Sequence, residues 1–476
     1  MQITELNRAS DWSQVRVCVV GAGVAGVGAA VSLAKVGAQV EIIDNAKALS
    51  NGDSIDDLAT YELAVRLGHE TWPGANPDLL VVSPGVKPSA EVIDRAKQAR
   101  VPIWGELELA WRLRINEETP WLLISGTNGK TTTTLMAEAM ANFGNKRATA
   151  IGNIGVSAVT AVMATAQPDT YVVEAAAAQM VFADSIEPLA SAIINFAPDH
   201  LDYFGDLTRY QQAKSRVFNK TTRAAIYNLE EPITKRMLDS SSIGESVQRV
   251  GISLARPKAG EVGVVDGWLI DRAFGDETPL AQVDEVKPAA RHNVLNALFA
   301  AALVRAAGFS PEAVTNGLRN FEPAKHRIAL VAKMDEVTYI DDSKATNAHA
   351  AETSIKSYSN VVWIAGGLAK GQDFSGLVQE VRTRLRGVVL LGRDQGEIAS
   401  ALERHAPDVP VISVSNRAPE SMREVAKHAK EMARSGDVVL LAPACASWDM
   451  YRDYQHRGDC FAEAVLSLDT EVARAS

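Results

Sequence analysis

Twice in this chain a β-branched run breaks at a glycine turn and resumes as a helix. The first instance is VRVCVVGAGVAG at Val15–Gly26 and the second is WLLISGTNGKTTTT at Trp121–Thr134. A strand that feeds a helix through a tight turn needs a crossover before the next strand, so each unit predicts a parallel sheet with helices on its faces. Strand candidates at Val40–Asp44 and Leu79–Ser83 complete a first α/β unit around the helix Gly26–Leu33. Tyr171–Glu174, Ala192–Phe196 and a helix at Asn293–Ala307 continue the second. A third alternates Tyr339–Asp341, Val361–Ala365, Val388–Leu391 and Val438–Leu441 with helical stretches. Three units fit the 476 residues of the chain at ~150 residues per domain. The expected limits are 1–105, 106–323 and 324–476, with sites at the carboxyl ends of the strands.

Composition narrows the class of partner. A net charge of −10 gives no general pull toward nucleic acid or anionic lipid, so any anionic ligand must meet local cations in a cleft. No run of ~18 apolar residues and no basic, then apolar, leader is present, so neither a membrane segment nor an export signal is expected. Cys18, Cys445 and Cys460 are too scattered for a disulfide framework or a CxxC metal site, and a reducing cytoplasm is the expected compartment.

The chemistry concentrates at the strand ends. In ISGTNGKTTT, Gly126, Thr127, Asn128 and Gly129 let backbone N–H groups close on phosphate at a helix N-terminus. Lys130 is placed for the β/γ-phosphates of ATP and Thr131 for a magnesium ion. The loop departs from GxxxxGK[ST], because Ile124 stands where the first glycine belongs. Glu174, Asp199 and His200 follow strands of the same unit, and with the Thr131 hydroxyl they suit magnesium and ATP. The GAGVAG turn at Gly21, Gly23 and Gly26, with Asp44 about twenty residues on, reads equally as a packing turn or as a nicotinamide or flavin site. In the third unit Asp341, Asp342, Ser343 and Lys344 put a cation among hydroxyls. Ala444–Ser447 supplies small residues at another strand end, where Cys445 reads as a packed residue rather than a nucleophile.

These motifs together resemble the Mur ligases of peptidoglycan synthesis over nearly the whole chain. GTNGKTTT (126–133), GNIG (152–155), DHLD (199–202), YxxAK (210–214), HNxxN (292–296), HR (326–327), DDSKATN (341–347) and PACASWD (443–449) occur in order. DSKATN and PACAS distinguish the members that join D-glutamate to UDP-N-acetylmuramoyl-L-alanine. The resemblance implies an α/β protein of three domains: a Rossmann-like N-terminal domain for the UDP substrate, a central P-loop-type ATP domain and a Rossmann-like C-terminal domain for the amino acid. Gly23, Val24, Ala25, Asn45, Ser83, Gly85 and Asn153 would then hold the UDP substrate, which displaces the nicotinamide reading of the glycine turn. Gly126–Thr132 with Asn293, Asn296, Arg327 and Asp342 would bind ATP. Thr131, Glu174, His200 and Lys214 would ligate magnesium, Lys214 as a carbamate. Lys130, Glu174, His200 and Lys214 would be catalytic, and Lys344, Thr346, Lys370, Ser447 and Tyr454 would hold D-glutamate. A cytoplasmic monomer whose domains close over an acyl-phosphate intermediate is expected.

One stretch departs from the family. Relatives carry Ser-Ser-Phe-Gln after the strand glutamate, whereas this chain has Ala175–Ala178 and then Gln179, which predicts weakened contacts to the muramoyl substrate with an intact phosphate site. Arg291 before HN and Phe204 after DHLD are smaller departures, neither of them disabling. Two rival readings carry their own discriminators. DSKATN argues against another Mur enzyme or a folylpolyglutamate synthase. A non-catalytic nucleotide sensor would bind ATP and release no phosphate.

Overall fold

The computed structural model describes residues 3–46, 58–288, 290–323, 325–415 and 419–475. Ala324, where the third expected domain begins, lies outside them. Three sheets are present, and contacts divide the chain into two compact units, residues 1–286 with 293–321 and residues 287–292 with 322–476.

The first sheet is wholly parallel. Its spatial order runs Ala64–Leu67, Gln39–Asp44, Arg16–Val20, Leu79–Val82, Ile103–Gly105. The order reverses between Arg16–Val20 and Leu79–Val82, the switch point at which open α/β sheets take ligands, and Gly21 and Ser83 follow those two strand ends. The second sheet has nine strands. Third from one edge, Trp121–Ser125 lies between Thr170–Glu174 and Ala190–Ile193, all parallel, and an antiparallel pair formed by Trp268–Asp271 and Thr278–Gln282 closes the other edge. The expected strand Ala192–Phe196 runs two residues earlier and stops at Ile193, because Asn195 turns back to the phosphate loop.

Both sheets of the first unit share a core. The helix Glu106–Leu113 buries Leu107, Leu109, Ala110 and Leu113 in one cluster with Val19, Val81 and Trp104 on one side and Trp121, Tyr171 and Val159 on the other. Its polar face is equally committed. Buried Glu106 accepts from the Ser157 hydroxyl at 2.8 Å, and Glu108 accepts from the Asp184 and Ser185 amides at 2.7 and 2.8 Å.

The second unit holds a six-stranded sheet. Val337–Asp341, Val438–Leu441, Val361–Gly366 and Leu385–Leu391 are parallel neighbours in that order, and Ala329–Met334 pairs antiparallel at the edge. No helix among the described residues is long and apolar enough to cross a membrane.

Candidate active site

Buried strand Trp121–Ser125 delivers the chain to Gly126, whose φ of +159° lets it pass Ile194; a Cβ there would lie 2.4 Å from that side chain. Gly129, at φ +80°, caps the helix Lys130–Ala141, and a Cβ on it would approach Asn296 Oδ1 to 2.6 Å. Only glycine satisfies both the turn and that approach. The loop closes on itself through Lys130, whose ammonium donates to the Gly126 and Thr127 carbonyls at 2.8 and 2.9 Å. Asn195 holds the other side. Its Oδ1 accepts from the Thr127 and Asn128 amides at 2.8 and 2.9 Å, and its Nδ2 donates to the Asn128 carbonyl at 2.9 Å.

Glu174 ends the strand beside Trp121–Ser125 and is buried. Its two oxygens accept from the Thr131 hydroxyl at 2.7 Å and the Asn153 amide at 2.8 Å, which joins two of the expected metal and substrate residues to one carboxylate. Hydroxyl and carboxylate oxygens are the donors a hard divalent cation takes, so this pair fits magnesium.

Lys214 is the unusual member. It is 1% exposed on the helix Leu207–Ser215 and donates to the Gly126 carbonyl at 2.8 Å. Burial, reinforced by the Lys130 charge, pushes its pKa well below the ordinary lysine value, with Asp199 opposing. A cation pointed at this loop as an ammonium is a poor metal ligand, but a lysine held neutral is a nucleophile. The Lys214 ammonium position lies 4.7 Å from the Tyr210 ring centroid. The Tyr210 hydroxyl stands 3.2 Å from the Thr127 hydroxyl. His200, at φ +51°, stands with its ring 3.6 Å from Asp199 and 6.4 Å from the Tyr210 ring centroid. Asn293 and Asn296 are buried side by side on the helix Arg291–Ala306, 3.3 Å apart, with Asn296 facing Gly129.

In the first sheet, Gly26 packs so closely that a Cβ would fall 1.8 Å from the Gly21 carbonyl oxygen. Ser83 faces both glycines with its hydroxyl buried and unpartnered. Asp44 turns inward, accepting from the Ala22 and Ala46 amides at 2.6 and 2.8 Å, so its carboxylate braces the glycine turn. Val24, Asn45, Gly85 and Asn153 are exposed beyond it.

In the second unit three loops at strand ends come together. Asp342 is buried and its pKa is pushed up to about 6 by desolvation, opposed by the Ser354 hydroxyl and the Arg327 charge, and its backbone N–H donates to the Leu441 carbonyl at 2.9 Å. Lys344 lies 3.9 Å from the Tyr454 ring centroid, and Lys370, at φ +54°, lies 5.1 Å from that of Trp448. Ser447 is buried and Thr346 half-buried. Cys445 is buried with its thiol pushed up to about 12 by desolvation, which keeps it inert. Tyr210 opens the YxxAK motif, whereas no motif marks Asn195 or Arg457, a buried arginine that donates to Ser343 and Cys445.

A phosphate loop at a helix N-terminus with a carboxylate facing its threonine makes this a nucleotide site of the P-loop type. Three domain signatures match in order: the Mur ligase MurD-like N-terminal domain over residues 15–105, the Mur ligase middle domain over 124–304 and the Mur ligase glutamate ligase domain over 326–445. The chain belongs to the Mur ligase family. It is 46% identical to the UDP-N-acetylmuramoylalanine–D-glutamate ligase of Thermobifida fusca over 460 residues, covering 95% of this chain and 98% of that protein. The enzyme of the same name from Streptomyces avermitilis is 43% identical over 464 residues, covering 96% and 99%. Among solved structures, the UDP-N-acetylmuramate–alanine ligase MurC of Thermotoga maritima superposes with a TM-score of 0.57 at 19% identity, covering 95% of this chain and all of that one. A pseudomurein peptide ligase type C from Methanothermus fervidus gives 0.58 at 16% identity, covering 96% of this chain and 100% of that one. At those identities the likeness concerns the fold.

Proposed function

We propose that this protein is an ATP-dependent ligase that joins D-glutamate to UDP-N-acetylmuramoyl-L-alanine in peptidoglycan precursor synthesis. The observation that carries the reading is near-full-length identity of 43–46% to relatives of that activity. The joined pair Thr131–Glu174 beside Lys130 is consistent with it.

The roles follow from charge. A substrate carboxylate attacking the γ-phosphate of ATP brings anions together, and Lys130 with the helix N-terminus offsets them once Lys130 leaves its own loop carbonyls for phosphate. The acyl phosphate formed is an electrophile, the D-glutamate amine displaces phosphate from it, and ADP and phosphate leave. Thr131 and Glu174 would hold magnesium, which when bound neutralises phosphate charge. His200 and Lys214 join that set in the proposal, Lys214 after its neutral amine adds carbon dioxide and loses a proton to give a carbamate. Gly126–Thr132, Asn293, Asn296, Arg327 and Asp342 are proposed for ATP, and Lys344, Thr346, Lys370, Ser447 and Tyr454 for D-glutamate. Gly23, Val24, Ala25, Asn45, Ser83, Gly85 and Asn153 are proposed for the UDP substrate. Domain limits of 1–105, 106–323 and 324–476, a monomeric state and a cytoplasmic location belong to the same proposal.

The test is phosphate release from ATP and magnesium with UDP-N-acetylmuramoyl-L-alanine, with D-glutamate, L-glutamate or neither. Release that requires D-glutamate is expected. ATP binding without release under any condition would favour the sensor reading.

A further inference from the structure

Arg457 is 1% exposed, in the first turn of the helix Tyr454–Ala475. Among the described residues no carboxylate lies within ion-pair distance of it. Burial pulls its pKa down to about 10, still far enough above neutrality to keep the guanidinium charged. Its fork is spent on two loops instead. Nε donates to the Ser343 hydroxyl at 2.9 Å, and one terminal nitrogen to the Ser343 carbonyl at 2.8 Å. The other terminal nitrogen donates to the Cys445 carbonyl at 3.1 Å. The Ser343 hydroxyl passes the link on by donating to the Tyr454 carbonyl at 2.8 Å.

Each loop carries residues proposed above for the amino acid: Lys344 and Thr346 follow Ser343, Ser447 follows Cys445, and Tyr454 begins the helix. Beside Arg457, a backbone bond from the Ala444 N–H to the Ala345 carbonyl at 2.9 Å also links the two segments. Burying an arginine without a direct ion pair is costly even with the Asp449 and Asp341 charges nearby, and a planar fork is the group that can satisfy three acceptors in two segments at once. We propose that Arg457 is a positioning residue that sets the Ser343–Thr346 loop against the Cys445–Ser447 loop and thereby fixes the site for the incoming amino acid, an inference that rests on the ligase reading.

The test compares wild type, Arg457→Met and Arg457→Lys as full-length proteins. Steady-state phosphate release gives KM for each of the three substrates, and hydrogen exchange is followed at the amides of both loops in the ligand-free proteins. For Arg457→Met the KM for D-glutamate is expected to rise about ten- to a hundredfold, as befits loss of hydrogen bonds from a charged group, with the KM for ATP and for the UDP substrate changed less than about threefold. Both loops should exchange faster while the strands beneath them do not. Arg457→Lys keeps the charge but not the fork, and should fold as wild type with a smaller rise in the same KM. An unchanged KM for D-glutamate, or an equal rise for all three substrates, overturns the proposal. Should Arg457→Met fail to fold, the lysine variant decides by the same two readouts. If wild type shows no D-glutamate-dependent release, the ligase reading fails, and loop exchange alone then decides whether Arg457 holds the loops.

Discussion

At the scale of single residues, the site is strained in charge. Lys214 is buried with its amine against the Gly126 carbonyl and its pKa depressed, so the unfolded chain binds a proton that the folded chain resists. Between the folded and ordinary lysine pKa values, stability therefore rises with pH. Lys214→Met removes that cost. It is expected to stabilise the protein at neutral pH by roughly 1–4 kcal/mol, the range for replacing buried ionic groups by apolar volume, while abolishing phosphate release. The stability difference should shrink as pH climbs toward the ordinary lysine value. Denaturant unfolding at two pH values and one activity assay check all three, and a destabilised Lys214→Met would contradict the account. Asn195 works by the opposite principle, satisfying three loop groups with one amide. Asn195→Ala should raise the KM for ATP about tenfold or more, since the freed amides no longer hold the loop in register. Equal ATP affinity by titration would refute that role. Lys130, Thr131 and Glu174 were legible because phosphate loops have fixed spacing. Asn195 has no such spacing and looks like any residue at the end of an apolar strand. Arg457 did leave a trace: it shares a helical face with Phe461, Ala464, Val465 and Leu468, all buried, and a charged residue on an apolar stripe marks a buried charge.

At the scale of elements, the alanine run has a specific structural consequence. Ala176 is the N-cap of the short helix Ala177–Met180 in extended conformation, and the Gln179 side chain returns to accept from its amide at 3.0 Å. This is half of a capping box. The reciprocal half needs a hydroxyl on residue 176, which alanine lacks. Ala176→Ser should therefore stabilise the protein by about 1 kcal/mol, seen as a rise in Tm, and the pair Ala176→Ser, Ala177→Ser should also lower the KM for the UDP substrate. No gain in either quantity would mean that the run is neutral. Elements are legible where strand, glycine and helix alternate, and that alternation is lost between residues 224 and 282. There VVDGWL forms a hairpin with Asp266 and Gly267 both at positive φ, a turn that Asp-Gly between apolar residues announces. The hairpin at Asp335 and Glu336 turns at φ +52° and +59° without any glycine, and nothing in its sequence announces the turn. Its geometry is set by the pairing of Ala329–Met334 with Val337–Asp341, a tertiary choice over a local one.

At the scale of the whole molecule, three family domains do not mean three cooperative units. The helix Glu106–Leu113 contributes its apolar face to a core shared by the first two sheets, and buried Glu106 and Glu108 satisfy amides and hydroxyls of the second sheet's connections. Unfolding the first sheet alone would expose Trp104 and Leu107–Leu113 and strand those carboxylates' partners, so the two sheets should melt together. The six-stranded sheet has separate cores of its own on its two faces. Scanning calorimetry of the full chain is thus expected to resolve two transitions rather than three. A ligand that binds only the folded protein raises the transition of the unit that holds it, so ATP with magnesium should lift the transition of the unit that carries the phosphate loop. Lys130→Ala should erase that shift, because the ammonium that donates to the Gly126 and Thr127 carbonyls is the one proposed to turn to phosphate. Three resolved transitions would show that the helix Glu106–Leu113 does not couple the first two sheets. A nucleotide shift that persists in Lys130→Ala would mean that the phosphate loop is not the main nucleotide contact.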